Sequence, residues 1–114
     1  MGKLDEKIAK YQESAKELKL SIPPELIDKV TRGLGPSIYN KDAESVSCSD
    51  SKELETVRKN FLKKKLQLIN SDADLDAAIM RVCEKLGSSN RNKYRALFYA
   101  QLAQDFGHES VYDK

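Results

Sequence analysis

The side chains best suited to binding or chemistry follow one another near the start of the last predicted helix. Arg91, Lys93 and Arg95 are cationic, and Ser89 and Asn90 carry a hydroxyl and an amide. A helix start exposes free amides and partial positive charge, so cations placed there oppose the helix dipole unless an anion or a carboxylate faces them. The run therefore predicts either an anion site with charge-assisted hydrogen bonds or structural ion pairs with other helices.

A second candidate contact lies further back, in a segment that follows two closely spaced glycines. Tyr39 and Asn40 offer an aromatic ring and an amide there, and we add them to the cationic run as candidate binding residues. The candidate residues for anion or partner binding are Ser89, Asn90, Arg91, Lys93, Arg95, Tyr39 and Asn40.

Patterns typical of catalysis or of cofactor binding fail on inspection. Asp72–Asp76 begins like a calcium loop, but the positions that need glycine and glutamate hold Ala77 and Cys83. Gly33–Ile38 lacks the third glycine of a dinucleotide fingerprint, and His108 has no metal-ligand spacing to other residues. We therefore predict no catalytic, cofactor-binding or metal-ligating residue and no cofactor, and we favour a protein that is not an enzyme.

Length, composition and charge set the class of protein. The 114 residues suffice for one domain, residues 1–114, and 39% hydrophobic with 33% charged residues is typical of a globular chain. The net charge of +2 is too small for a general nucleic-acid-binding charge, although residues 51–114 hold 12 basic and 9 acidic side chains. No apolar run is long enough for a membrane span, so we expect no membrane contact and a cytoplasmic location.

The two cysteines, Cys48 and Cys83, are far apart and have no CxxC spacing. In a reducing compartment this favours two free thiols, one in a loop and one on the core face of a helix. A disulfide or a reactive thiol remains the alternative.

Apolar residues recur every three or four positions and predict an all-α fold of five helices plus a short helical turn. The first helix has Leu4 to Ile22 as its inner face and ends at Pro23–Pro24. The second starts near Pro24, and the turn covers Pro36–Asn40. The expected core residues are Leu4, Ile8, Tyr11, Ile27, Val30, Leu54, Val57, Phe61, Ile79, Val82, Leu86, Leu97, Phe98 and Leu102.

Capping signals place the remaining helices. Asp50 with Glu53 resembles a capping box, and Ser71 precedes acidic residues that suit a helix start. Gly87 is expected as a left-handed stop, after which the last helix begins at Ser88 or Ser89.

Five blocks of the sequence resemble a family of small bacterial proteins of unknown function. These blocks are Asp5–Tyr11, Gly33–Asn40, Val46–Asp50, Asn60–Leu66 and Ser89–Arg95. The resemblance covers nearly the whole chain and implies a bacterial, mostly helical protein with one domain. The family has no assigned activity, cofactor or catalytic residue, so the resemblance implies none for this chain.

The leading hypothesis for function is a small non-enzymatic binding or protein-interaction module with an unknown protein partner. The alternative is a binder of a phosphate-bearing ligand or nucleic acid through the basic start of the last helix. A titration against salt separates the two, because phosphate contacts make affinity fall steeply with salt. Neither the oligomeric state nor the biological process follows from the sequence.

Overall fold

The computed structural model describes residues 2–87, 90 and 93–112, and within them the chain is almost entirely helical. The α-helices are α1 (Lys3–Glu17), α2 (Pro24–Leu34), α3 (Lys41–Glu44), α4 (Ser51–Thr56), α5 (Asp72–Lys85) and α6 (Arg95–Asp105). A π-helical segment, Val57–Lys65, continues α4, and 3₁₀ turns cover Gly35–Tyr39 and Glu109–Tyr112. The all-α prediction is confirmed, since the described residues contain no strand.

Helix α6 lies at the centre of the fold and contacts α1, α2, α3 and α5. Its buried residues fall on every side of the helix, as expected for a helix that is covered all round. They are Ala96, Leu97, Phe98, Ala100, Gln101, Leu102 and Ala103. The small alanines let neighbouring backbones approach closely, so the other helices pack directly against α6.

Most of the predicted core is buried, and the exceptions lie at its edge. Leu4 and Leu54 are only partly buried against the core, whereas the other expected core residues are below 9% exposed. Ile38 and Leu66 are core residues that the sequence analysis did not include. The periodicity of apolar residues therefore located most of the core and missed residues near helix ends as well as small residues within helices, such as Ala78 and Ala100.

The first helix ends at Glu17, earlier than the Pro23–Pro24 pair predicted. Lys19 adopts a left-handed φ of 59°, and its amide donates to the Lys16 carbonyl while the Leu20 amide donates to the Ala15 carbonyl. These two bonds form a Schellman motif, which satisfies the last carbonyls of a helix. The motif usually has glycine at the left-handed position, and the lysine here hid the helix end in the sequence.

The π-helical segment explains the spacing of apolar residues after α4. Val57, the pair Phe61 and Leu62, and Leu66 are all buried, and three polar residues separate each apolar position from the next. An α-helix would turn too tightly for that spacing, but the i→i+5 bonds of a π-helix widen the turn. Lys63–Lys65 therefore remain together on the outer side.

The expectation of two free thiols is wrong, because Cys48 and Cys83 form a disulfide. Helix α3 and the turn after it bring Cys48 to the side of α5, where the two Cα atoms are 6.2 Å apart. This contact is made by the tertiary fold across a separation of 35 residues, which sequence spacing does not reveal.

Candidate functional site

Of the described members of the basic run, Arg95 lies in the first turn of the last helix and Lys93 precedes it. Helix α6 begins at Arg95, with Tyr94 immediately before it, so a start at Ser88 or Ser89 is wrong for the described residues. The Val46 amide donates to the Lys93 carbonyl at 2.8 Å, and Ser45 and Tyr94 form an isolated antiparallel bridge. This pairing engages residues 93 and 94 with the segment after α3, and the helix starts only at Arg95.

Arg95 joins three helices through its guanidinium group. Its Nε donates to the Ala43 carbonyl of α3 at 2.6 Å, its Nη1 donates to the Tyr99 hydroxyl at 3.0 Å, and its Nη2 pairs with Glu53 of α4. Burial disfavours the charged guanidinium, but Tyr99 and Glu53 outweigh that effect and raise the pKa of Arg95. The side chain is only 11% exposed, so the guanidinium group mainly contacts and stabilises other parts of the protein.

Lys93 is also turned inward. It is 8% exposed, and its Nζ donates to the Asn90 carbonyl at 2.5 Å. The Asn90 side chain in turn donates to the Leu86 carbonyl at 2.9 Å, beside Gly87, whose φ of 100° confirms the predicted left-handed stop. Ser89 and Arg91, the other two members of the predicted run, lie outside the described residues.

Asn40 and Tyr39 occupy different environments although they are neighbours. The Asn40 side chain accepts a hydrogen bond from the Asp42 amide and so caps α3. Tyr39 ends the 3₁₀ turn and is 47% exposed, one of the few large hydrophobic side chains on the surface. Both residues are exposed, but the Asn40 side chain is engaged in the cap, whereas the Tyr39 ring is open to solvent.

Tyr39 faces a groove against α1 that we call the lysine groove. Its lining residues are Lys3, Glu6, Lys7, Lys10 and Tyr39, and its volume is about 340 Å³. The lysines recur at i, i+4 and i+7, which places them along one side of the helix. The groove therefore combines an exposed aromatic ring with a row of ammonium groups.

Glu44 of α3 positions two of these lysines. Its Oε2 accepts hydrogen bonds from the Lys7 ammonium at 2.7 Å and the Tyr11 hydroxyl at 2.6 Å, and it lies 3.6 Å from the Lys10 ammonium. The Lys10 ammonium also lies 5.0 Å from the centre of the Tyr94 ring. One carboxylate thus fixes two cations, leaving positive charge in excess at this edge of the groove.

The ionisation states of this cluster follow from its contacts. Burial raises the pKa of Glu44, but hydrogen bonds from Lys7 and Tyr11 and the charge of Lys10 outweigh it, so the pKa is lowered overall. Burial, followed by the hydrogen bond to Glu44, raises the pKa of Tyr11 far above its ordinary value. Tyr11 is therefore a neutral hydrogen-bond donor and no nucleophile.

Sequence patterns did not reveal the lysine groove, because Glu44 lies 37 residues from Lys7 and 33 residues from Tyr11 along the chain. The spacing of Lys3, Lys7 and Lys10 beside the core residue Tyr11 was the available signal. In the described part of the chain, no group of three or more His, Cys, Asp or Glu residues is arranged to hold a metal ion. The same residues contain no helix with the length and apolar character that crossing a bilayer requires.

The comparisons with known proteins agree with the resemblance found in the sequence. Residues 9–110 match the family model described as "Protein of unknown function (DUF2853)". The chain belongs to this family. No curated protein matches the chain. Membership in DUF2853 confirms the resemblance to an uncharacterised family and assigns no activity, so the local geometry must carry any functional argument.

Proposed function

We propose that the protein is a small non-enzymatic interaction module that binds an acidic segment of a partner protein in the lysine groove. The observation that carries this proposal is the exposed Tyr39 ring beside the row of Lys3, Lys7 and Lys10. Tyrosine is enriched at protein interfaces, where its ring supplies contact area at a low entropic cost. Ammonium groups around it favour a partner of opposite charge.

The charge around the groove supports an acidic partner. Three ammonium groups lie near two carboxylates, those of Glu6 and Glu44, and Glu44 is already shared by Lys7 and Lys10. Lys3 is exposed and makes no ion pair with another described residue. Such rim charges mainly steer association and select the partner, whereas a central aromatic contact supplies affinity.

The alternative function, binding of phosphate or nucleic acid at the start of α6, remains a prediction with less support. Arg95 and Lys93 both direct their charged groups to atoms of the protein itself. Action in the cytoplasm likewise remains a proposal, and fractionation of cells that express the protein tests it.

The binding proposal is tested by titrating the protein with a fluorescent glutamate-rich peptide at several salt concentrations. Lys3→Glu and Tyr39→Ala are each expected to weaken binding about fivefold or more, the usual effect of removing an important interface residue. Their matched controls are Lys64→Glu, at an exposed lysine of the π-helical segment, and Met80→Ala, at a residue 45% exposed.

Equal effects of the groove variants and their controls would refute the lysine groove as the binding surface. A parallel titration with single-stranded nucleic acid tests the alternative, for which Arg91→Ala should reduce both affinity and its dependence on salt. Inorganic phosphate serves as the small-ligand probe in the same series.

A further inference from the structure

The two sulfurs of the disulfide lie in unlike surroundings. Cys83 sits on the inner face of α5 and is 4% exposed, next to the buried residues Ile79, Val82 and Leu86. Cys48 is only partly buried and belongs to the polar turn of residues 47–50 between α3 and α4. An attacking thiol therefore meets Cys48 far more readily than Cys83.

We propose that Cys48 is a site of reversible thiol–disulfide exchange with low-molecular-weight thiols such as glutathione. The redox state of the surroundings then determines whether this bond is reduced or formed. This inference is independent of the lysine groove and of its partner.

The exchange is balanced by two molecules of the small thiol. A thiolate attacks Cys48 Sγ, the bond to Cys83 breaks, and its electron pair leaves on Cys83 Sγ, which takes a proton from water. A second thiolate attacks the small-thiol sulfur of the mixed disulfide and releases Cys48, which is protonated in turn. The protein disulfide is reduced to two thiols, and the two small thiols are oxidised to one disulfide.

Local anchors on both sides of Cys48 keep the fold together when the disulfide opens. Before it, Val46 is 3% exposed and its amide donates to the Lys93 carbonyl. After it, the Asp50 side chain accepts from the Lys52 and Glu53 amides and so caps α4. Reduction therefore releases the turn between these anchors.

The buried partner tolerates reduction for a different reason. A free cysteine behaves as a small hydrophobic residue, and the Cys83 thiol is already surrounded by apolar side chains. Its burial shields it from thiols in solution, because access controls the reactivity of a cysteine. The partly buried cysteine and the buried one thus have separate roles, one reactive and one structural.

Incubation of the folded, oxidised protein with reduced glutathione tests the proposal, with acid quenching and mass spectrometry to locate adducts. We expect a mixed disulfide on Cys48 and, after full reduction, alkylation of Cys48 by iodoacetamide at least about tenfold faster than Cys83, because access controls thiol reactivity. A bond that glutathione reduces only in denaturant, or an adduct on Cys83, would overturn the proposal.

Hydrogen exchange supplies a second readout that needs no variant. The Asp50 amide, which donates to the Ser47 carbonyl at 3.2 Å, should exchange faster after reduction, whereas the Val46 amide should keep its protection. Loss of protection throughout α5 would contradict an effect of reduction that is confined to this turn.

Two variants test the cysteines separately. Cys83→Ala should leave Cys48 open to glutathionylation, and Cys48→Ser should leave Cys83 unmodified.

Discussion

The start of α6 and the lysine groove are both rich in cations, yet the fold uses them in opposite ways. At α6, Lys93 is buried and Arg95 is largely buried, and their charged groups contact a carboxylate, a hydroxyl and backbone carbonyls. In the groove, Lys3 and Tyr39 remain exposed while Lys7 and Lys10 share Glu44. This difference indicates that a cation is available to bind a partner where it is exposed to solvent and no carboxylate of the protein compensates its charge.

The largest expected effect comes from removing Arg95. Arg95→Ala leaves Glu53, whose side chain is 23% exposed, without its cation and removes the link from α6 to α3. Losing this partly buried ion pair together with the hydrogen bonds to the Ala43 carbonyl and the Tyr99 hydroxyl should cost about 3 kcal/mol in the free energy of unfolding. Urea denaturation followed by circular dichroism measures it.

The control for Arg95→Ala is Lys64→Ala, which should change stability by less than about 0.5 kcal/mol, as is usual for exposed sites. The double variant Arg95→Ala/Glu53→Ala should recover part of the loss, because no unpaired carboxylate remains. An Arg95→Ala protein as stable as its control would show that the start of α6 is not a structural centre.

A smaller effect is expected where Glu44 organises the groove. Glu44→Gln replaces a charged acceptor of the Lys7 and Tyr11 hydrogen bonds, and bonds of this kind contribute about 1.5–3 kcal/mol. Urea denaturation at neutral pH should show a loss in that range. A loss near zero would mean that the carboxylate does not hold the lysine groove together.

The pH dependence of stability gives an independent test of Glu44. Its pKa is lowered in the folded protein, so its contribution is complete above the unfolded pKa of about 4.3 and is lost as the pH falls through the folded pKa. Between about pH 6 and pH 3 the wild type should therefore lose more stability than Glu44→Gln. Parallel curves for the two proteins would contradict this assignment.

The smallest expected effect separates Lys93 from a ligand-binding lysine. Lys93→Met keeps the length of a buried side chain and removes one hydrogen bond, to the Asn90 carbonyl. We expect a change of about 1 kcal/mol or less in the free energy of unfolding, the net value of a typical hydrogen bond. A much larger loss would show that the Lys93 ammonium makes further essential contacts.

The sequence located the helices well because their inner faces repeat every three or four residues. Val30, Val82 and Leu97, for example, are all fully buried as expected. The capping residues Asp50 and Ser71 and the stop at Gly87 were also found, since these signals depend only on neighbours along the chain.

Features that depend on distant contacts were missed. The expected capping box is not formed, because the Asp50 amide donates to the Ser47 carbonyl and the Glu53 carboxylate pairs with Arg95 of α6. Helix α6 begins later than predicted because residues 45 and 46 pair with residues 93 and 94. Cys48 contacts Cys83 only in the folded chain. Local patterns do not encode such long-range partners, so they did not reveal which groups surround Lys93 and Arg95.

Whether the lysine groove or the start of α6 binds the partner is decided by the affinity of the glutamate-rich peptide for Lys3→Glu and Lys93→Met, determined side by side at low salt. We predict that Lys3→Glu weakens binding about fivefold or more and that Lys93→Met leaves the affinity unchanged. The reverse result, with affinity lost in Lys93→Met and kept in Lys3→Glu, would contradict it and return the binding site to the start of α6.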